Sequence, residues 1–345
     1  MNAPATLRWG ILGTGRIVSK YAEAFRHVRG AELMAIASRD GDRSRAVAAQ
    51  YGIRRAQAGY DELLKDPEVD AVINALHNGL HCEWTCRALA AGKHVLCEKP
   101  LACSYAEAEQ MFAAAHQHRR WLLEGFMYRF HPQMIEAQRL VADGAIGRVV
   151  HIRAARTSYS RERDNPRYWK DAGGGALLDV GCYGVNLCRL FANAEPVRVW
   201  ASADFDKATG VDLTTTGLLE FPGNVTAHIV SSMNAEPTYA AEITGTAGRL
   251  GIPHPWSPPS WPVELELTRQ FQTETIRIKP PALPGHPLAQ FILEFEHFAD
   301  CIRQDRAPTF PPATDAERDA LGNARVLDAL AESARSQQPV NLDLS

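Results

Sequence analysis

The sequence predicts an α/β fold followed by an α+β one. The N-terminal part reads as a Rossmann domain with a doubly wound parallel sheet, the C-terminal part as an open, mostly antiparallel sheet flanked by helices. Three observations carry this. Apolar strand-like runs alternate with helical stretches over roughly the first 120 residues, the pattern of a parallel sheet with crossover helices. A glycine turn, Gly10-Ile11-Leu12-Gly13-Thr14-Gly15, follows directly on the first apolar run. Beyond Val149 the rhythm changes to successive strands joined by tight turns, which suits antiparallel pairing. A chain of 345 residues is long for one domain and suits two. The expected division is 1–125 and 126–345.

The elements follow in order. Leu7–Leu12 reads as a buried strand, and 17–28 as the helix after the glycine turn. Glu32–Ser38 is a second buried strand, Asp42–Tyr51 a helix and Asp70–Leu76 a further apolar strand. His81–Ala91 reads as a helix closed by Gly92, and His94–Cys97 as a strand running into Glu98-Lys99-Pro100. Ser104 caps a helix reaching His118, and Trp121–Arg129 reads as a strand. In the second half, Val149–Ser158, Val197–Asp204, Asp212–Phe221, Val225–Met233, Ala240–Gly245, Val263–Thr268 and Glu274–Lys279 read as strands. Pro222-Gly223-Asn224 is a hairpin turn between two of them. Helices are expected at Gly175–Phe191, Leu288–Gln304 and Asp315–Ser336. The proline-rich stretches Pro253–Pro262 and Pro280–Pro287 read as rigid surface connections.

Bulk properties exclude several function classes. A net charge of −3 supplies no field to draw nucleic acid or anionic lipid, so neither is expected as a partner. No stretch approaches the ~20 apolar residues of a membrane span. Met1–Arg8 has no apolar run ahead of a cleavage site, so no export leader is expected. The seven cysteines form no Cys-x-x-Cys, and Cys82 and Cys86 lack a second pair, so no metal is expected. An odd cysteine count without a leader points to reduced thiols in a cytoplasm.

A glycine turn between strand and helix lets backbone N–H groups approach a pyrophosphate, whose charge the helix N-terminus favours. Gly13 and Gly15 fill the first two glycine roles; Val18 stands at the third, implying slightly wider helix–strand packing. Thr14, Arg16 and Ile17 complete the candidate cradle. At the end of the second strand an acidic residue would bind the adenosine ribose and repel a 2′-phosphate. Here stand Ser38 and Arg39, with Arg43 further on. A hydroxyl and two guanidinium groups suit a phosphate dianion, so NADP is expected over NAD. Asp40 is the counterargument, as a ribose ligand if the turn is one residue longer. Leu76, His77, Asn78, His81 and Glu98, near the next strand ends, are further candidate cofactor-side groups; helix capping is the competing reading of Asn78 and His81.

Lys99 lies just past a parallel strand's C-terminal end, where ligands bind in open α/β sheets. Pro100 holds it away from helical geometry and admits a cis bond that aims its side chain inward. Asp179 and Tyr183 are four apart and Asn186 three further on, so on a helix they share a face. Gly173-Gly174-Gly175 ahead of them would permit close approach of a substrate. A tyrosine needs help to act as a base near neutral pH, and a nearby lysine ammonium favours its phenolate. Lys99 and Tyr183 are therefore expected to meet in one cleft as catalytic groups, with Asp179 orienting substrate or lysine. A core tyrosine is the competing reading. Tyr159, Arg163, Tyr168, Trp169 and Lys170 form an aromatic and basic cluster that could line a sugar pocket, with Asn186 nearby. Met127 and Phe130 read as core.

Together, the glycine turn, Glu98-Lys99-Pro100, the run Glu124-x-Phe126-Met127-Tyr128-Arg129-Phe130-His131-Pro132 and Gly-Gly-Gly-Ala-Leu-Leu-Asp179-x-Gly181-x-Tyr183 resemble the Gfo/Idh/MocA oxidoreductases. The similarity runs from about residue 6 to residue 335. It is greatest to the branch of NADP-dependent D-xylose dehydrogenases, dimeric dihydrodiol dehydrogenases and glucose-fructose oxidoreductases, which has tyrosine where the inositol dehydrogenases have histidine. The resemblance implies Lys99 and Tyr183 as catalytic groups with Asp179 in support, and dimerisation through the open sheet. A leader and arm like those of the periplasmic glucose-fructose enzyme are not expected here, which weakens the expectation of a non-exchanging cofactor. The expected activity is hydride transfer between NADP and a sugar, polyol or related compound. The alternatives are a sugar–sugar oxidoreductase with retained cofactor and a catalytically silent NADP-responsive regulator.

Overall fold

The computed structural model describes residues 6–159, 164–258, 261–278 and 286–343. They form two compact units, Met1–Phe130 with Leu288–Ala320, and His131–Pro287 with Leu321–Ser345. The stretch Leu288–Ala320, which the sequence reading assigned to the second domain, packs with the first.

The first unit holds β1 (Leu7–Leu12), α1 (Val18–Phe25), β2 (Ala31–Ser38), α2 (Gly41–Tyr51), β3 (Arg55–Ala58), α3 (Tyr60–Lys65), β4 (Ala71–Asn74), α4 (His81–Ala90), β5 (His94–Glu98), α5 (Tyr105–His118) and β6 (Leu122–Gly125). The six strands are parallel in the order β3-β2-β1-β4-β5-β6. Order reverses between β1 and β4, so the ends of these strands mark the switch point where such sheets bind ligands. The caps follow the sequence. Ser104 accepts from the Glu107 N–H and Glu107 reaches back to the Cys103 N–H, a reciprocal capping box at α5. Gly92 closes α4 at φ +82°. β3 and α3 escaped the sequence reading because four half-polar residues and a six-residue helix carry little periodicity. The strand expected over Trp121–Arg129 stops at Gly125: the Phe126 N–H turns back to the Glu124 carbonyl, and Met127–Phe130 form a 3₁₀ turn. Met127 and Phe130 are core, as expected.

The second unit begins with α6 (Pro132–Ala142), which the sequence reading missed although His131 caps it and Pro132 opens it. It continues through β7 (Val149–Tyr159), α7 (Cys182–Ala192), β8 (Arg198–Phe205), β9 (Asp212–Phe221), β10 (Val225–Ser232), β11 (Asn234–Gly245), β12 (Arg249–Pro253), β13 (Val263–Arg269) and β14 (Gln272–Ile278). The chain then gives the first unit α8 (Ala289–Arg303) and the short β15 (Thr309–Phe310) and β16 (Thr314–Asp315). It ends with α9 (Ala316–Ser336) and β17 (Val340–Asn341). The nine-stranded sheet runs β14-β13-β12-β11-β7-β10-β9-β8-β17, antiparallel except where β7 meets β10. One face is covered by α7 and α9: a Cβ at Gly184 would lie 3.2 Å from Ile229, and Leu330 lies against Gly217. On the other face Trp200 of β8 sits opposite Leu218 of β9, both exposed.

Two expectations need correction here. Gly175–Phe191 is not one regular helix: Leu177–Gly181 form a π-helical turn ahead of α7. The stretch Pro253–Pro262 is not merely a surface connection, because Trp256 within it is fully buried. Its large apolar ring gains more from packing than the prolines suggest. Of Pro280–Pro287, residues 280–285 lie outside the described residues.

Candidate active site

The glycine turn follows β1. Gly13 takes φ +107°, and a Cβ there would press to 3.0 Å on the Ala75 carbonyl, so only glycine fits. A Cβ at the exposed Gly15 would meet nothing within 4 Å, which leaves open space over the turn. Thr14 and Ile17 are half-buried, Arg16 is exposed, and Val18 is buried beneath the start of α1. At the end of β2, Ser38 is buried and its hydroxyl accepts from the Asp40 N–H at 3.3 Å. Asp40 is the N-cap of α2: its Oδ1 accepts from the N–H groups of Asp42 and Arg43 at 2.9 and 3.2 Å. That use speaks against Asp40 as a ribose ligand and leaves Arg39 and Arg43 exposed beside it. Tyr60, absent from the sequence reading, lies under this corner with its ring edge-on to Trp84 at 4.8 Å. Burial pushes its phenol up; a hydrogen bond from Arg39 and the charges of Arg39 and Arg43 offset part of this.

Past β4, Leu76, His77 and Asn78 are half-buried, and Asn78 opens a 3₁₀ turn. His81 is different. It is fully buried, with Nδ1 2.8 Å from the Pro100 carbonyl and Nε2 3.1 Å from the Leu76 carbonyl. Both ring nitrogens thus face carbonyls; burial lowers the imidazole to about 4, so the neutral ring donates its single N–H to one of them. His81 is therefore a strut packed between two loops, with its ring away from the surface. The Lys99–Pro100 bond is cis. The half-buried Lys99 donates its N–H to Glu98 Oε2 at 3.1 Å, while Glu98 Oε1 accepts from the Tyr21 hydroxyl. Burial pushes the Glu98 carboxyl up, offset by Lys99 and Tyr21. Leu101 N–H donates to Glu124 at 2.8 Å. Glu294 of α8, only 2 % exposed, keeps a carboxylate oxygen without a hydrogen-bond partner; burial, then Glu98, push it well above the usual carboxylate range.

In the second unit Asp179 sits in the π-helical turn and accepts from Arg167 Nε at 2.7 Å. The turn itself is braced by Asp212, which accepts from the Leu177 N–H at 2.7 Å and the Thr215 hydroxyl at 2.6 Å. Gly175, at φ +121°, leaves room for that carboxylate; any Cβ there would collide with it. Tyr183, on the first turn of α7, is 3 % exposed. The Arg156 guanidinium of β7 stands over its ring, 3.8 Å from the centroid, and Trp256 lies 6.1 Å from it. Arg156 also faces Tyr239 and Trp256 at 5.7 and 5.8 Å, and its Nη1 is buried without a hydrogen-bond partner.

The other expected substrate residues differ in exposure. Tyr159 and Trp169 are 56 % and 45 % exposed, and Lys170 is exposed too. Tyr168 packs in a core cluster with Val180, Leu213 and Met233, and Asn186 is fully buried in α7. Arg163 lies outside the described residues. The groups around Tyr183 that the sequence reading missed are Arg156, Tyr239 and Trp256. No local spacing joins them, because β7, β11 and the loop after β12 deliver one each.

Comparison with known families matches residues 7–126 to the oxidoreductase family GFO/IDH/MocA, with its NAD-binding Rossmann fold, and residues 134–251 to the GFO/IDH/MocA C-terminal domain. The chain belongs to the Gfo/Idh/MocA oxidoreductases. Among this oxidoreductase's relatives is D-xylose 1-dehydrogenase (NADP(+)) 2 of Haloferax volcanii, 35% identical over 98% of this chain and 100% of that one. A 3-ketoreductase from Actinomadura kijaniata, solved with NADP and TDP-benzene, superposes with a TM-score of 0.87 at 32% identity, over 95% of this chain and 98% of that one. An aldose-aldose oxidoreductase from Caulobacter crescentus, complexed with glycerol, gives 0.86 at 30% identity, over 98% and 100%.

Proposed function

We propose that this oxidoreductase transfers a hydride between NADP and a sugar, polyol or related carbonyl compound. The observation that carries the cofactor choice is the end of β2, where Asp40 is consumed as a helix cap while Arg39 and Arg43 stay exposed. A ribose 2′-phosphate suits such a pair of guanidinium groups. The open space at Gly15 fits a pyrophosphate on the backbone of Gly13, Thr14, Gly15 and Arg16. Leu76, His77, Asn78, Glu98 and Lys99 would hold the nicotinamide end. The relatives whose names carry NADP support this reading.

When bound, the nicotinamide ring takes or gives the hydride at its C4 carbon. In the oxidation direction Tyr183 accepts the substrate hydroxyl proton as the C–H bond breaks and the carbonyl forms, and the Lys99 ammonium stabilises the developing alkoxide. Reduction reverses each step. Asp179, held by Arg167, orients the substrate. The likeness to an aldose-aldose enzyme favours one second reading, in which one sugar is oxidised and another reduced on a retained cofactor. Cofactor that stays bound through purification is its signature.

The exposed cross-strand pair Trp200 and Leu218 supports a homodimer formed on the open sheet face. A monomeric mass at micromolar concentration contradicts that. No helix among the described residues is long and apolar enough to cross a membrane. Among the described residues no disulfide joins any of the seven cysteines, which suits a reducing compartment such as a cytoplasm. The deciding experiment is a turnover screen of aldoses, inositols, diols and anhydro sugars with NADP(H) and NAD(H). Turnover of a sugar or polyol with NADP(H) preferred supports the proposal. Equal use of both cofactors, or no turnover of any member, overturns it.

A further inference from the structure

A tyrosine that serves as a base must spend time as phenolate, and the charge of a phenolate spreads over its ring. A cation held against the ring face therefore favours that form too, less strongly than one beside the oxygen. In the second unit such a cation is in place. The Arg156 guanidinium stands 3.8 Å from the Tyr183 ring centroid, and its plane is hemmed by Tyr239 and Trp256. An arginine stays protonated at any pH the protein meets. Its Nη1 is buried and makes no hydrogen bond, and among the described residues no carboxylate pairs with it. A neutralised arginine would offer the ring little; this one keeps its full charge.

We propose that Arg156 is a positioning residue for the reaction, holding a half-buried cation over the face of Tyr183 so that the phenol can give up its proton near neutral pH. The proposal rests on the reading of Tyr183 as the base, and goes beyond it by assigning part of that base's activation to a group in the same unit. Trp256 and Tyr239 are the walls that keep the guanidinium on the ring. Trp256 is fully buried, so the wall is fixed rather than mobile.

Among the described residues, other polar groups lie near this cluster. His254, just past β12, lies against Tyr239 at 6.2 Å. Asp179 is held by Arg167 in the π-helical turn, and Ser231 and Asn323 approach the start of α7 as uncharged groups. None of these places a second unpaired positive charge on the Tyr183 ring.

The test does not need the natural substrate. Tyrosinate formation is read by near-ultraviolet absorbance across pH in the full-length protein. The wild-type curve minus the Tyr183→Phe curve isolates Tyr183 among the nine tyrosines. The same difference is measured in an Arg156→Met background and in an Arg156→Lys background. The expected result is that Tyr183 titrates about 1–3 pH units higher without the cation, with the lysine variant between. With the best substrate of the screen, the acidic limb of kcat/KM should move by the same amount, which a merely structural role would not do. If Tyr183 titrates at one pH in all three backgrounds, the proposal is overturned. If the methionine variant fails to fold, the lysine and an Arg156→Gln variant carry the comparison. Undiminished turnover by Tyr183→Phe instead removes the reading of Tyr183 as base and leaves the titration result standing on its own.

Discussion

The two units build their candidate groups by opposite means. In the first, the groups sit at strand ends and are fixed through the main chain. The Lys99 loop is held at Glu98 by its own N–H, at His81 through the Pro100 carbonyl and at Glu124 through the Leu101 N–H. In the second, Tyr183 hangs from α7 behind a π-helical turn, and its neighbours are side chains from β7, β11 and the loop after β12. Geometry written into the main chain tolerates change of neighbouring side chains. Geometry made by packed side chains does not, so substitutions should behave differently in the two places.

The hardest blow to this contrast comes from the chemistry itself. Tyr183→Phe should lower turnover by roughly 10²–10⁴-fold while NADPH binding stays near normal, and Lys99→Met should do similar damage. If the two act as one device, the double variant is little worse than either single. Additive losses would show instead that each unit works independently.

The cofactor corner gives the next largest effect. Losing a charge-assisted hydrogen bond to phosphate costs about 1.5–3 kcal/mol. Arg39→Ala should therefore weaken NADPH about ten- to a hundred-fold and leave NADH unchanged, as read by fluorescence titration. Equal weakening of both cofactors would sink the 2′-phosphate assignment.

The strut comes third. A neutral imidazole has one N–H, so His81→Leu leaves a buried carbonyl without its donor, at about 1–3 kcal/mol. The melting temperature should fall by about 2–4 °C for each kcal/mol. An unchanged melting point would mean that the loops around Lys99 do not depend on this tie.

The mildest test concerns Glu294. Its proton affinity is raised in the folded state above the ordinary 4.5. Above that pH the unfolded chain releases this proton and the folded one keeps it, so Glu294 costs stability progressively as pH rises toward its folded-state value. Glu294→Gln removes that slope. Relative to wild type it should gain about 1.4 kcal/mol per pH unit from pH 5 upward, seen as a growing difference in melting temperature. A constant difference across pH would show that Glu294 is charged in the fold.

The same contrast explains what could be read beforehand. The places of Gly13, Ser38, Arg39 and Lys99 at strand ends were legible because they follow from short contiguous patterns. The spacing of Asp179 and Tyr183 was legible, but not the π-helical turn that carries Asp179 or the Arg167 that holds it. Arg156 and Trp256 were not legible at all, since only tertiary packing brings them to Tyr183. Trp169, exposed, and Tyr168, packed in a core, lay close together in sequence and diverged in space for the same reason. The burial of His81 was not legible, because a polar residue at a helix start looks alike whether it faces a ligand or braces a loop.

The return of the chain to the first unit has a consequence for synthesis. Trp9 packs on Phe25 from its own neighbourhood but also on Phe295 and Phe298 of α8. Arg29 meets Glu296 across 267 positions. As the protein leaves the ribosome, the parallel sheet emerges early, with one side of its aromatic cluster bare. It must wait, while almost the whole second unit is made, for the helix that seals it. A nascent chain halted short of α8 should therefore be open to proteases and chaperones at its first-made part, which closes only when its last-made partner arrives.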